Sequence, residues 1–485
     1  MRHVRIAGFA GLGTTGGAVA VMAAIALLGP STAVPDLGGG APPWSFHAAP
    51  GGGTVIVLGW LAVIMGAAGV GVALYALRRG WRPPIGGLLG GVVAAVALLA
   101  VVPPAGSTDV LNYAIYGRIA ALGHDPYVTT PAWLHEIGDP VGRMAPLAWR
   151  DTPSVYGPLA TWAQFACARL GGASMAGIVF TLKLATALAF LLSALVLDRL
   201  ARADRERRIR VHLLWSLNPL MLWHVVLGGH VDGLGVALLL AALLALRRGG
   251  VAAGLLAGAL LGAAAAVKAP FILAGAGLAW AARRSWATLT ALVMGVSAAL
   301  VGAYATQGPE AIDNLAGKLG ARSMADPWRL VVEFLAPGTT GPGAPDSPLE
   351  GRLALGAALL IALLLFWRLP EGPADVASAR PALALCLGWL LTSPVQHPWY
   401  DAMLFPLLAL MPAGRLDGPV LARGVVTSLI YLPGAVGLSR IPGPQAQWIA
   451  EVYRPWAAPL AEDLLIVAVV ALGLAGALRA RPLRR

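Results

Sequence analysis

The chain has 485 residues, 58% of them hydrophobic and only 12% charged, and 35 basic against 23 acidic side chains give a net charge of +12. A soluble domain is about a quarter charged, so a soluble globular enzyme is excluded. The basic excess sits in short loops between apolar runs, which is the positive-inside pattern of a membrane protein and excludes nucleic-acid binding as its explanation.

The first apolar run, residues 6–29, is too long for the core of a signal peptide and predicts a transmembrane helix with its basic end inside. Loop 30–52 carries no Lys or Arg and is predicted outside. The next spans, 53–77 and 85–103, flank the inner turn "ALRRGWR" (76–82). Loop 104–173 is therefore predicted as the first large extracytoplasmic loop. Within it, 108–122 and 158–170 read as helices lying on the outer face, too short to cross. Were 158–170 to cross, the span 175–197 would run outward and strand "DRLARADRERRIR" (198–210) outside, against the charge bias.

Two further spans meet at an outer turn, "GGHVDG" (228–233). Segment 249–280 has arginine pairs at both ends, Arg247/Arg248 and Arg283/Arg284. It must therefore enter and return as two short helices, with "VKAP" (267–270) at a recessed apex. Segment 381–413, between Arg380 and Arg415, repeats this design with "SPVQHPWYD" (393–401) at its apex. The remaining spans fall near 287–306, 351–368, 419–437 and 460–480. The result is an all-α, polytopic integral membrane protein of about 14 transmembrane helices. It reads as a single transmembrane domain over 1–485, with both termini cytoplasmic and two juxtamembrane helices outside. Cys167 and Cys386 are far apart and suggest neither a disulfide framework nor a thiolate metal site.

This threading collects the polar residues on the outer face. The first loop supplies Asp109, Tyr113, Tyr116, Asp125, Tyr127 and Tyr156. The later turns add His230, Asp232, Lys268, Arg322, His397 and Tyr400. Recessed ionisable groups cost about 2.5–3.5 kcal/mol each on insertion scales, so they are paired or functional. Lys183, in the middle of a span, needs a lipid phosphate or an acid as its partner. In "STDVLNYAIYGRIAALGHDPY" (107–127), helical phasing puts Asp109, Asn112, Tyr113 and Tyr116 on one face. Ser107 or Thr108 is the expected N-cap, and the helix dipole favours an ionised Asp109. Arg118 points away from Asp109 and is expected to brace against Asp125.

That stretch resembles the first extracytoplasmic loop of the GT-C glycosyltransferases. More narrowly, it is similar to the bacterial polyprenyl-phosphomannose-dependent α-1,6-mannosyltransferases of lipomannan and lipoarabinomannan synthesis. The likeness continues in "SVYGPLATW" (154–162), "NPLMLWHVVLGGHVDGLGVAL" (218–238), "AAVKAPFILAG" (265–275) and "QHPWYDAMLFPLLAL" (396–410). The resemblance implies a catalytic acid at the start of the first juxtamembrane helix, where this sequence has Asp109. It also implies a polyprenyl-phosphate-sugar donor, a lipid-linked or glycan acceptor, and an inverting reaction at the outer side of the bacterial plasma membrane.

Many relatives elsewhere in that superfamily carry a second acid or a metal at this position. "STDVLNY" offers one carboxylate. Phosphate leaves as a stable anion and needs no general acid, unlike the alcohol expelled in glycoside hydrolysis. One base for the acceptor hydroxyl then suffices, and no metal or other cofactor is expected. Lys268, His397 and Tyr400 are the expected partners of the donor phosphate, with Arg322 and His230 behind them. Tyr113, Tyr116, Asp125, Tyr127, Tyr156 and Asp232 are the expected substrate contacts. Rival readings are transfer of arabinofuranose or another hexose, a lipid-pyrophosphate-dependent polymerase or ligase, and a lipid flippase or transporter. A transporter predicts polar groups across the midplane, against the one-sided distribution found here.

Overall fold

A computed structural model describes residues 2–39, 42–316, 322–323, 325–335, 348–371 and 376–478, and all regular structure among them is helical. α1 (Arg2–Leu28) and α2 (Gly52–Arg78) form the first hairpin, and α3 (Ile85–Val101) ends at the loop leading to the site. α4 (Asp109–Ala121), the short α5 (Pro131–Glu136) and α6 (Pro158–Gly171) follow, before the long α7 (Met175–Ala201). α4 lies directly on α6 because Gly117 has no side chain: a Cβ there would sit 2.3 Å from the Gln164 carbonyl oxygen.

α8 (Arg205–Val211) runs through a widened, π-helical stretch to the Asn218 cap, the single turn α9 (Pro219–Met221) and a second π-helical stretch. The chain then breaks at Gly228–Gly229 and turns through 118° into α10 (Asp232–Leu246). α11 (Gly250–Val267) ends at Lys268, and a tight helical turn, Ala269–Ala274, leads to α12 (Gly275–Ala282). α13 (Trp286–Tyr304) packs closely on α11, where a Cβ on Gly258 would meet the Leu292 carbonyl oxygen at 2.0 Å. Small residues at such crossings are how apolar helices associate when hydrophobicity itself gives no drive.

The last third comprises α14 (Glu310–Ala316), α15 (Arg329–Leu335), α16 (Pro348–Arg368) and α17 (Ala379–Thr392). The turn Pro398–Met403 joins α17 to α18 (Leu404–Leu410), followed by α19 (Asp417–Tyr431), α20 (Pro444–Trp448) and α21 (Ala458–Leu474).

Every segment expected to cross contains helix, but their lengths differ from expectation. Seven helices are long and apolar enough to cross a membrane, or eight if the bent pair around Gly228 is one span. α3, α17 and the 269–282 segment are apolar but shorter. α11, expected to fall short, has 18 residues and qualifies by itself. The last span starts far earlier than residue 460, within one helical run over Pro444–Leu474. The basic tail 479–485 lies outside the described residues.

The two ends of the bundle are chemically distinct. At one end, Trp44 and Gly106 donate backbone hydrogen bonds to Val101 and Ala33, tying the first connecting loop to the approach to α4. At the other, Asp417 receives Arg78 at 2.6 Å and both Arg210 nitrogens at 2.5–2.6 Å, and Arg82 pairs with Glu206. The site and the arginine turns are thus at opposite ends.

Candidate active site

Asp109 is the first residue of α4, and the Ser107 hydroxyl accepts its backbone N–H at 3.1 Å. Of the two expected caps, Ser107 is the one that acts; Thr108 makes no side-chain cap. The Asp109 carboxylate lies 3.9 Å from His230 Nδ1, and the same nitrogen is 3.2 Å from the Tyr113 hydroxyl. His230 stacks on Trp399 at 3.8 Å between ring centres, and His397 stacks on the same indole at 4.9 Å. Tyr431 closes the wall edge-on to both His397 and Trp399. Opposite, Lys268 reaches both oxygens of Asp232 at 2.9 and 3.0 Å and lies 4.0 Å above the Tyr400 ring. Four places where the chain leaves or enters a helix therefore converge: the start of α4, the Gly228–Asp232 bend, the Lys268 turn and the 397–403 turn.

Burial grades the cluster. The side chains of Asp109 and Lys268 keep 18% and 12% of their exposure, whereas His230 and Asp232 keep essentially none. Tyr156, His397 and Tyr400 are half-buried and line the same mouth. Three hollows of about 470, 210 and 460 Å3 are lined by other residues.

Burial pushes the Asp109 carboxyl up to about 6, with the Lys268 charge pulling it down and the Asp232 charge adding to the rise. This runs against the ionised form that the helix dipole favours: desolvation outweighs one helix end. Burial likewise raises the hydroxyls of Tyr113 and Tyr156 well above the ordinary phenol value, so both remain protonated donors.

Several expected substrate contacts have other partners. The Tyr116 hydroxyl donates to the Thr152 carbonyl at 2.8 Å, and Tyr127 donates to the Tyr156 carbonyl at 2.9 Å beside Thr161. Both fasten loop 122–157 to α4 and α6. Asp125 is exposed and caps a local turn through the Tyr127 N–H at 2.8 Å. Arg118 pairs with Asp139 at 2.8 Å rather than with Asp125. Asp232 is engaged by Lys268. His230 sits behind the mouth, turned toward Asp109 and Tyr113, so it suits orientation of the carboxylate better than contact with a phosphate. Arg322 forms an ion pair with Glu350, and no described contact joins it to the cluster. The Lys183 ammonium donates to the Leu99 carbonyl at 2.8 Å and to the Val102 carbonyl, closing the end of α3, and no described acid pairs with it.

The sequence reading passed over Trp399, Tyr431 and Arg423. Trp399 stands inside the quoted "HPWY", so its motif was visible, but sandwiching between two histidines needs three dimensions. Arg423, on α19, pairs with Asp401 and donates to Gln396 Oε1 at 2.5 Å and to the Leu390 carbonyl at 3.1 Å. It fixes the 397–403 turn from behind. Among the described residues no group of three or more His, Cys, Asp or Glu is placed to hold a metal ion.

An apolar helical bundle with seven helices long enough to cross a bilayer, and one partly exposed carboxylate gathered with a lysine and an aromatic wall, has the character of a membrane protein. The sequence places it further: residues 10–284, more than half of the chain, match the family described as "Alpha-(1->6)-mannopyranosyltransferase, N-terminal domain". The chain belongs to this MptA_B family. The matched region holds Asp109, His230, Asp232 and Lys268 and stops before the 397–403 turn.

Similar proteins include a probable alpha-(1->6)-mannopyranosyltransferase of Mycolicibacterium smegmatis, 32% identical over 151 residues, or 31% of this chain and 27% of that protein. An alpha-(1->6)-mannopyranosyltransferase of Mycobacterium tuberculosis is 30% identical over 151 residues, 31% of this chain and 26% of its own length. Alpha-(1->6)-mannopyranosyltransferase B of Corynebacterium glutamicum is 29% identical over 155 residues, 32% and 26% of the two chains. The match thus spans about a quarter of each relative. No solved structure matches.

Proposed function

We propose that this protein transfers a mannosyl residue from a polyprenyl-phosphate donor to a lipid-linked or glycan acceptor, with inversion and formation of an α-1,6 linkage. In this reading the chain threads the plasma membrane about 14 times, its termini are cytoplasmic, and the Asp109 end faces outward. The observation that carries the proposal is the Asp109 carboxylate, partly exposed and opposite Lys268, at the mouth of a wall formed by Tyr156, His397 and Tyr400.

The acceptor hydroxyl gives its proton to Asp109 Oδ as its oxygen lone pair forms the new bond to the sugar C1. The C1–O bond to phosphate breaks with its electron pair on the phosphate, which departs as the polyprenyl phosphate anion. Attack opposite the leaving group turns a β-linked mannosyl phosphate into an α-glycoside. General base catalysis of this kind contributes about 10²–10⁴ in rate. Lys268 is the cation suited to meet the charge developing on phosphate, in a site where burial strengthens such a contact. Tyr113 and His230 orient the base.

No metal or other cofactor is part of this proposal, because a monophosphate leaves with less charge to neutralise than a pyrophosphate. The names of the relatives favour mannose over arabinofuranose. Membranes containing the protein are to be supplied separately with radiolabelled polyprenyl-phosphomannose and polyprenyl-phosphoarabinose. Label reaching glycan from the first alone supports the proposal, and transfer from the second alone overturns it.

A further inference from the structure

At the end of the bundle opposite Asp109, Arg199, Arg202, Arg247 and Arg248 surround a hollow of about 210 Å3 whose fifth lining residue is Leu244. The hollow lies between the C-terminal ends of α7 and α10. Helix C-termini attract cations, but each carries only about half a negative charge, so two of them do not balance the three exposed guanidinium groups of Arg199, Arg202 and Arg248. Among the described residues, the acids that follow the exposed face of α7 in sequence have other partners. Asp198 takes Arg208 at 2.9 Å and His212 at 3.2 Å. Asp204 caps α8 and approaches Arg207. Arg247 has partners of its own, among them the Leu200 carbonyl at 3.2 Å, so Arg199, Arg202 and Arg248 are the groups that the hollow offers a ligand.

α7 adds a second, independent feature. Leu188, Leu192 and Leu195 are 66%, 50% and 59% exposed. With Arg199 and Arg202 they recur at alternating steps of four and three, which is one face of a helix. An uncovered apolar stripe therefore runs along α7 directly to the arginine hollow. Arg247 also borders a larger hollow of about 460 Å3 that adds Arg284 and the side chains of Ser285 and Thr288, leaving room beside the cationic centre for an uncharged polar group.

We propose that this hollow binds the phosphodiester headgroup of an anionic membrane lipid, with an acyl chain along the Leu188–Leu192–Leu195 stripe. A phosphodiester accepts paired hydrogen bonds from guanidinium groups, and basic pockets between helix ends select anionic headgroups in this way. The stripe distinguishes a lipid from a free phosphate, which has nothing to place on it. The site is separate from the Asp109 cluster and does not depend on the reaction proposed for it.

The test is native mass spectrometry of the full chain in detergent, titrated with phosphatidylglycerol, with phosphatidylcholine, and with glycerol 3-phosphate as a soluble competitor. Phosphatidylglycerol is expected to be retained and phosphatidylcholine not, and glycerol 3-phosphate is expected to compete poorly. The exposed arginines can be changed without opening the core, so the R199Q/R202Q/R248Q variant is expected to fold and to bind phosphatidylglycerol at least about tenfold more weakly, given what basic side chains contribute at an anionic surface. The R2Q/R5Q/R79Q control removes equal charge outside the hollow and should leave binding unchanged. Equal loss in the control, equal retention of phosphatidylcholine, or competition by glycerol 3-phosphate as strong as by the lipid would each overturn the proposal. The comparison of the two lipids on the unaltered chain tests it even without the variants.

Discussion

Replacing Asp109 by asparagine should separate activity from stability. An acid whose pKa rises from 3.8 unfolded to about 6 folded carries a penalty for being ionised in the native state, at roughly 1.4 kcal/mol per pKa unit. The shift of about two units is worth about 3 kcal/mol. Its sign follows from linkage. The folded protein holds its proton more tightly, so the neutral acid costs nothing below pH 3.8, and stability is lost as pH rises through 6. Asparagine keeps the shape and never pays this. Asp109→Asn should therefore melt higher than the parent at pH 8, with the gap closing as pH falls below about 4. Transfer should meanwhile drop by two to four orders of magnitude, the worth of a general base. Thermal melts of the detergent-solubilised pair across this range, together with single-turnover transfer from labelled donor, measure both. A variant that melts lower at pH 8, or a gap that ignores pH, would refute the idea that Asp109 is kept at the expense of stability, and retained transfer would remove it as the base.

In the parent, kcat/KM should fall on the acid side with a midpoint near 6, the pKa of Asp109, and a flat profile from pH 5 to 8 would contradict its role. Lys268→Ala strands a buried Asp232, so the informative variant is K268A/D232N; its melt should recover toward the parent while the KM for donor stays about tenfold high, the coupling expected of a charge meeting phosphate. Tyr116→Phe should cost about 1 kcal/mol of stability through the lost bond to Thr152 and leave the KM for donor and acceptor unchanged. Arg423→Met leaves Asp401 buried without its cation and should lower stability by about 3–5 kcal/mol, visible as a large fall in melting temperature. Adding Asp401→Asn should restore part of that loss.

How much of this was legible depended on whether a residue's partner was local or distant. The helices, the turns that break them and the gathering of polar groups at one end followed from apolar run lengths and the placement of arginine. Asp109 was legible because both its position at a helix start and its uncharged surroundings are local facts. Its raised pKa was not, since the helix dipole is a sequence feature and the burying walls come from the Gly228–Asp232 bend and the 397–403 turn. Tyr116 and Tyr127 illustrate the converse case. Tyrosines on a loop rim resemble sugar contacts, but their hydroxyls meet backbone carbonyls 29–36 residues away, and no periodicity announces such a partner. Arg118 went to Asp139 rather than Asp125 for a similar reason: a nearer acid is not the better partner when its carboxylate already caps its own turn. Seven or eight of the roughly 14 expected crossings are helices long enough to cross alone, because breaks in the chain shorten the helices on either side of them.

Those breaks also explain the division of charge in the site. Asp232 holds Lys268, Arg423 holds Asp401, Lys183 holds the end of α3, and each pair stabilises a place where the backbone leaves its helix. Unpaired buried charges would open such places to water or to collapse. Asp109 is the carboxylate in this set without a cation within ion-pairing distance other than a histidine at 3.9 Å, and it is also the most exposed. A structural charge is neutralised where it stands, whereas a base must remain free to take a proton and must return it to solvent. The pattern of pairing therefore singles out Asp109 independently of its position in the sequence; removing the Arg423–Asp401 pair should disturb the site's geometry, whereas removing Lys268 or Asp232 should also move the Asp109 titration, because both charges act on it.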